Sequence, residues 1–158
     1  MRQTNFIDSK WFAPVVALCV IIVLVWWMFG LRVTQPRGPI SVLRAEWITG
    51  LTLPSEAKNI RAAAYNQWVQ YEVFLRFEAP LEVCMAYAAS VVPNVELQPI
   101  DEYDLASNAR PARKDVFDDF SWFDLGKASN VVCAGGGSSQ PRVWVDKTRC
   151  VFYYSIGD

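Results

Sequence analysis

The chain has 158 residues, a net charge of −1, 53% hydrophobic residues, four cysteines and no histidine. That length leaves room for one domain of ordinary size beside an N-terminal apolar segment. The domain has no basic excess, since 12 Lys and Arg stand against 15 Asp and Glu over residues 33–158, so no nucleic acid is expected as a partner. The missing histidine excludes Ser-His-Asp and Cys-His nucleophilic systems, histidine-ligated metals and haem, and histidine acid–base catalysis.

Residues 1–10 form a short tail. From Trp11 to Leu31 there are 21 residues without a charge. At about 1.5 Å per residue such a helix matches a hydrocarbon core of roughly 30 Å, which predicts a single transmembrane helix over 11–31. The bulky end of the run, Trp26, Trp27, Met28 and Phe29, does not suit a signal-peptide cleavage site, and Leu18 before Cys19 does not suit a lipoprotein leader. Trp11 at one end and Trp26 and Trp27 near the other are the expected interfacial anchors, with the lipid bilayer as a partner. Basic residues flank both ends, Arg2 and Lys10 against Arg32, Arg37 and Arg44. The free amine and two basic residues of the tail resist crossing, which favours a cytoplasmic N-terminus and a translocated domain.

Residues 32–40, "RVTQPRGPI", read as a short linker, which leaves 41–158 as a membrane-proximal globular domain. Ser41 suits an N-cap for a short helix that Gly50 ends, with Leu43 and Trp47 on its buried face. Lys58–Tyr65 is a weaker strand, and Asn66-Gln67 would turn it into a hairpin with the next one. In that next strand, Val69, Tyr71, Val73, Leu75 and Phe77 alternate with Gln70, Glu72, Phe74, Arg76 and Glu78. This is the period-2 pattern of a strand with one core face and one wet face, Phe74 excepted.

Pro80 opens a helix in which Leu81, Cys84, Ala88 and Val91 recur at helical spacing until Pro93. Residues 94–130 are irregular and charged. "RVWVDKTRCVFYY" closes the chain as a β-hairpin around "DKTR", with a further short strand allowed at Val131–Cys133. The order predicts an α+β fold, in which the transmembrane helix precedes a mostly antiparallel four-stranded sheet with one main packed helix, in ββα-loop-ββ order.

Other chemistry finds little support. "AGGGSS" runs into Gln140-Pro141 rather than the Lys-Ser/Thr and helix start of a phosphate loop. Asp115, Asp118, Asp119 and Asp124 lack the alternate spacing and final Glu of a calcium loop. Glu72 and Glu78 share a strand face six residues apart, roughly 20 Å, too far for a glycosidase pair at about 5–9.5 Å. Ser9 and Lys10 adjoin on an extended tail and do not face each other. No CxxC occurs, and no catalytic residue, cofactor or metal is expected. Phe117, Phe120, Trp122 and Phe123, interleaved with acids, form the candidate docking patch, because interface cores are enriched in aromatics.

"LPSEAKNI", "YEVFLRFEAPLEVC" and "VWVDKTRCVFYY" together resemble the layout of small bacterial membrane-anchored or lipoprotein-type envelope domains of uncharacterised function. The resemblance spans roughly residues 53–156 and implies an envelope location without an activity. With the orientation above, the expectation is the bacterial inner membrane, N-terminus cytoplasmic and domain periplasmic. The expected function is a non-enzymatic single-pass accessory or scaffold subunit docking onto other membrane protein subunits. The alternative is a stand-alone tethered sensor, immunity or ligand-binding domain.

Overall fold

The structure is a computed structural model that describes residues 12–29, 32–67, 70–100, 117, 119–136 and 140–157. The chain divides into two units, Met1–Leu31 and Arg32–Asp158.

The first unit holds helix α1, Phe12–Phe29. At 18 residues it rises about 27 Å, short of the roughly 30 Å of a hydrocarbon core. Among the described residues, no helix is long and apolar enough to cross a membrane. This corrects the transmembrane helix expected over 11–31. The inner-membrane location with a periplasmic domain falls with it, because that helix was its physical basis. Trp11 lies outside the described residues, as do the side chains of Trp26 and Trp27.

In the second unit the expected four-stranded sheet is a seven-stranded one. Its strands are β1 (Arg32–Thr34), β2 (Lys58–Gln67), β3 (Gln70–Glu78), β4 (Gln98–Pro99), β5 (Val131–Gly135), β6 (Arg142–Asp146) and β7 (Val151–Gly157). They lie in the order β1-β2-β3-β7-β6-β5-β4, and every neighbouring pair is antiparallel. The hairpins β2–β3 and β6–β7 are those the alternation predicts. The additional strands are β1, β4 and β5, of three, two and five residues. β5 is the short strand allowed at Val131–Cys133, extended to Gly135, whereas β1 and β4 carry too little periodicity to announce themselves and arise by pairing with a neighbour. β1 begins the stretch read as a linker, and Ile40 N–H donates to Ile60 O at 2.8 Å, so that stretch is stitched along β2.

One face of the sheet is covered by two helices, α2 (Val42–Thr49), the short capped helix that the sequence predicts, and α3 (Leu81–Val91), the main packed one. Ser41 caps α2, its hydroxyl accepting from Arg44 N–H, and Gly50 ends it at φ 70° with its N–H on Glu46 O. The expected buried pair Leu43 and Trp47 is instead 79% and 78% exposed. Ala45 and Ile48, three apart, face inward, because a methyl lets the helix axis approach the sheet where an indole would hold it off. α3 buries Cys84 and Ala88 as its spacing predicts, and burial pushes the Cys84 thiol up to about 11. Leu75, Phe77, Val143, Val145 and Phe152 fill the sheet side, and Phe77 stacks on Phe152 at 4.8 Å.

The other face is not wet. Ala63, Tyr65, Phe74, Val131, Trp144, Val151 and Tyr153 lie under Phe117, Phe123, Leu125 and Ala128, a second core closed by irregular chain and the short 3-10 helix Leu125–Lys127. Even Glu72, expected in solvent, is 7% exposed. The alternation places the apolar residues of β3 correctly but cannot say what lies across from its polar ones.

Candidate functional site

The site lies at the margin of this second core, where the covering segment meets β2 and β3. Period-2 geometry sets Arg61 on β2 and Arg76 on β3 on the same face as Ala63 and Phe74. They are register partners, Arg61 against Arg76, and Tyr153 of β7 stands next to Arg76 in the same row. Like charges directly opposite on neighbouring strands are unfavourable, so a pair of arginines here demands counter-charge.

That counter-charge is only partly supplied. Arg76 donates to Glu78 Oε1 at 2.7 Å. Arg149, in the β6–β7 turn, donates through Nε to the fully buried Asp146 at 2.5 Å and through Nη2 to the Tyr153 hydroxyl at 3.2 Å. Lys127 pairs with Asp124 at 2.8 Å. Arg61 forms no ion pair among the described residues, although the field of its guanidinium reaches Asp119. Asp119 accepts from the Ser121 hydroxyl at 2.6 Å and the Ser121 N–H at 3.0 Å. Those two hydrogen bonds, outweighing slight desolvation and helped by Arg61, hold its carboxyl below the usual range. Asp124 is lowered in the same direction, first by the hydrogen bond from Lys127.

Arg61, Arg76, Lys127 and Arg149 line one cavity of about 340 Å³ with Asp119, Ser121, Trp122, Asp124 and Tyr153, four cations against two carboxylates. A second cavity of about 280 Å³ shares Arg61, Asp119 and Trp122 and adds Gln35, Pro36, Arg37 and Gly38. The Gln35 side-chain amide donates to Asp119 O, which ties the covering segment to the chain after β1.

Of the four aromatics picked out by the sequence, Phe117 and Phe123 are buried at 6% and 4% exposure, and Phe120 and Trp122 are half-buried against them. Phe74 is the hub, with Phe117, Phe120 and Phe123 packed edge-on at 5.7, 4.7 and 5.2 Å. Trp122 alone of the four also lines the two cavities. Asp115 and Asp118 lie outside the described residues, and among those described no group of three or more His, Cys, Asp or Glu could hold a metal ion. Among the described residues no two cysteines form a disulfide, and Cys133 lies within β5 opposite Trp144.

The alternation places Arg76 on the wet face of its strand, and nothing in the sequence pattern singles out Arg61. A two-residue turn at Asn66-Gln67 would oppose Arg61 with Glu72, a self-sufficient ion pair. In the structure β2 runs on to Gln67, which pairs with Gln70, and Arg61 meets Arg76 instead. No protein-family model matches the sequence, and no curated protein or solved structure matches the chain.

Proposed function

We propose that the domain 32–158 is a non-enzymatic recognition domain that binds an anionic ligand in the cleft between Arg61, Arg76 and Trp122. The observation that carries this reading is the register of the arginines, opposed on adjacent strands with one of them outside any ion pair among the described residues. The Arg76 guanidinium is held by Glu78 before a ligand arrives, which lowers the ordering cost on that side of the cleft. The side chains lining the cleft offer cations, a hydroxyl and an aromatic edge, which suits holding an anion better than transforming it.

The test is titration of the 158-residue chain with sulfate and with succinate at low salt, followed by backbone and arginine side-chain NMR shifts. Saturable shifts confined to Arg61, Arg76, Ser121 and Trp122 are expected for at least one of them. Shifts that scatter over the surface without saturating would overturn the reading.

A second reading, an accessory subunit of a larger protein assembly, is favoured by a separate observation. Every described side chain of α1, Ala13–Val25, is exposed, an apolar surface of the kind that marks interaction sites. The two readings separate on the same material. A ligand-binding domain loses its ligand when Arg61 is changed, whereas an accessory subunit loses its assembly when polar residues enter α1.

A further inference from the structure

We infer that the anion held in this cleft is a phosphoryl group in its dianionic form, an inference that rests on the anion-binding reading above. Two geometric facts favour it over a carboxylate. First, the cations converge from four separate elements: Arg61 and Arg76 from the adjacent strands β2 and β3, Lys127 from the 3-10 helix and Arg149 from the β6–β7 turn. A planar carboxylate has two oxygens, which one guanidinium fork already satisfies. A phosphoryl group has three terminal oxygens pointing in different directions, which needs several donors. Second, Arg76 already shares Glu78 whereas Arg61 stands outside any ion pair among the described residues, and Lys127 and Arg149 line the same cavity, so the second charge of a dianion meets cations beyond Arg61.

Asp119 works against the same ligand. Its carboxylate lines both cavities and is held by Ser121 rather than by a direct ion pair to Arg61. It therefore occupies part of the field of Arg61 without cancelling it, and an arriving dianion must overcome its repulsion. Removing that charge is expected to tighten binding, the opposite of what deletion of a binding residue does.

The experiment is calorimetric titration of the 158-residue chain with phenyl phosphate, inorganic phosphate and succinate at low salt, at pH 7.5 and pH 5.0. Phenyl phosphate and phosphate are expected to bind more tightly than succinate at pH 7.5. Phenyl phosphate should weaken severalfold at pH 5.0, where a monoester whose second ionisation lies near pH 6 becomes a monoanion while the arginines stay charged. Arg61→Gln should weaken phenyl phosphate about tenfold, Arg61→Lys should restore part of the loss, and Asp119→Asn should tighten it severalfold, each with the thermal melt of the parent. A stronger response to phenyl phosphate than to inorganic phosphate would place the ring against Trp122, and an equal one would confine recognition to the phosphoryl group; both support the inference. Succinate binding that depends on Arg61, with neither phosphate bound, would overturn the phosphoryl assignment and leave the anion cleft standing. Binding of none of the three would overturn both, and phenyl phosphate binding indifferent to Arg61→Gln would overturn the assignment to this cleft.

Discussion

The two faces of the sheet are closed by different means. On one, α2 and α3 bring small residues, Ala45, Cys84 and Ala88, each 0% exposed, flush against the strands. A helix satisfies its own backbone hydrogen bonds, so it covers a sheet without needing polar partners from it. On the other, an irregular segment does the covering with aromatic bulk from Phe117, Phe120, Trp122 and Phe123, and it draws polar partners from its surroundings, such as the Gln35 amide on Asp119 O. Along one edge of that segment, the strands beneath show their charges. The helical face is all core, and the irregular face is core in the middle with a charged cleft at its edge.

The contrast can be broken most forcefully from the helical side. Phe152 is 0% exposed, stacked on Phe77 at 4.8 Å and edge-on to Tyr87 at 5.0 Å. Phe152→Ala is expected to destabilise the domain by about 3–5 kcal/mol, because helices packed through small side chains cannot slump into the space. Urea unfolding measures this, and a loss under about 1 kcal/mol would show that face to be the softer one.

The irregular face should respond in a graded way. Phe123, packed edge-on against Phe74 at 5.2 Å and Tyr153 at 5.4 Å, is expected to cost about 2–3 kcal/mol as Phe123→Ala, since an irregular cover collapses partly into the gap. Trp122→Ser should cost under about 1 kcal/mol while disturbing the cleft, because Trp122 is only half-buried and lines the two cavities. Equal losses for the two variants in the same urea series would erase the distinction between core and cleft edge.

The smallest effect sharpens the charged rim. Burial alone would push the Glu78 carboxyl up, but hydrogen bonds from Asn59 and Arg76 outweigh it and hold the group below its ordinary value. A carboxylate lowered in the folded state contributes stability that is fully present above its unfolded value and is lost as pH falls through its folded value. Stability should therefore decline from about pH 5 downward, and Glu78→Gln should flatten that limb by less than about 1 kcal/mol, the side chain being partly solvated. An acid limb unchanged by the substitution would remove Glu78 from the account.

What could be read in advance follows from how far each interaction reaches along the chain. The long strands β2 and β3, the final hairpin and the inward residues Cys84 and Ala88 of α3 are stated by periods of two and of about 3.6, and each involves neighbours within a few residues. The inward face of α2 was misread because hydrophobicity ranks Trp47 over Ala45, while close packing against a sheet selects for size. The arginine cleft was hidden by its register. Moving the β2–β3 turn by two residues leaves every side chain on its face but replaces Glu72 with Arg76 as the partner of Arg61.

By itself, the sequence determined that histidine chemistry plays no part, that an apolar segment of one helix precedes a single domain, and that this domain is built on alternating strands. Only the tertiary structure decided that the sheet has seven strands, that no helix among the described residues is long and apolar enough to cross a membrane, and that the aromatic segment is mostly core. It also decided that four cations meet around one cleft. Composition and periodicity report what each residue prefers, whereas strand count, register and the meeting of distant charges depend on which segments share space, and no local pattern encodes that.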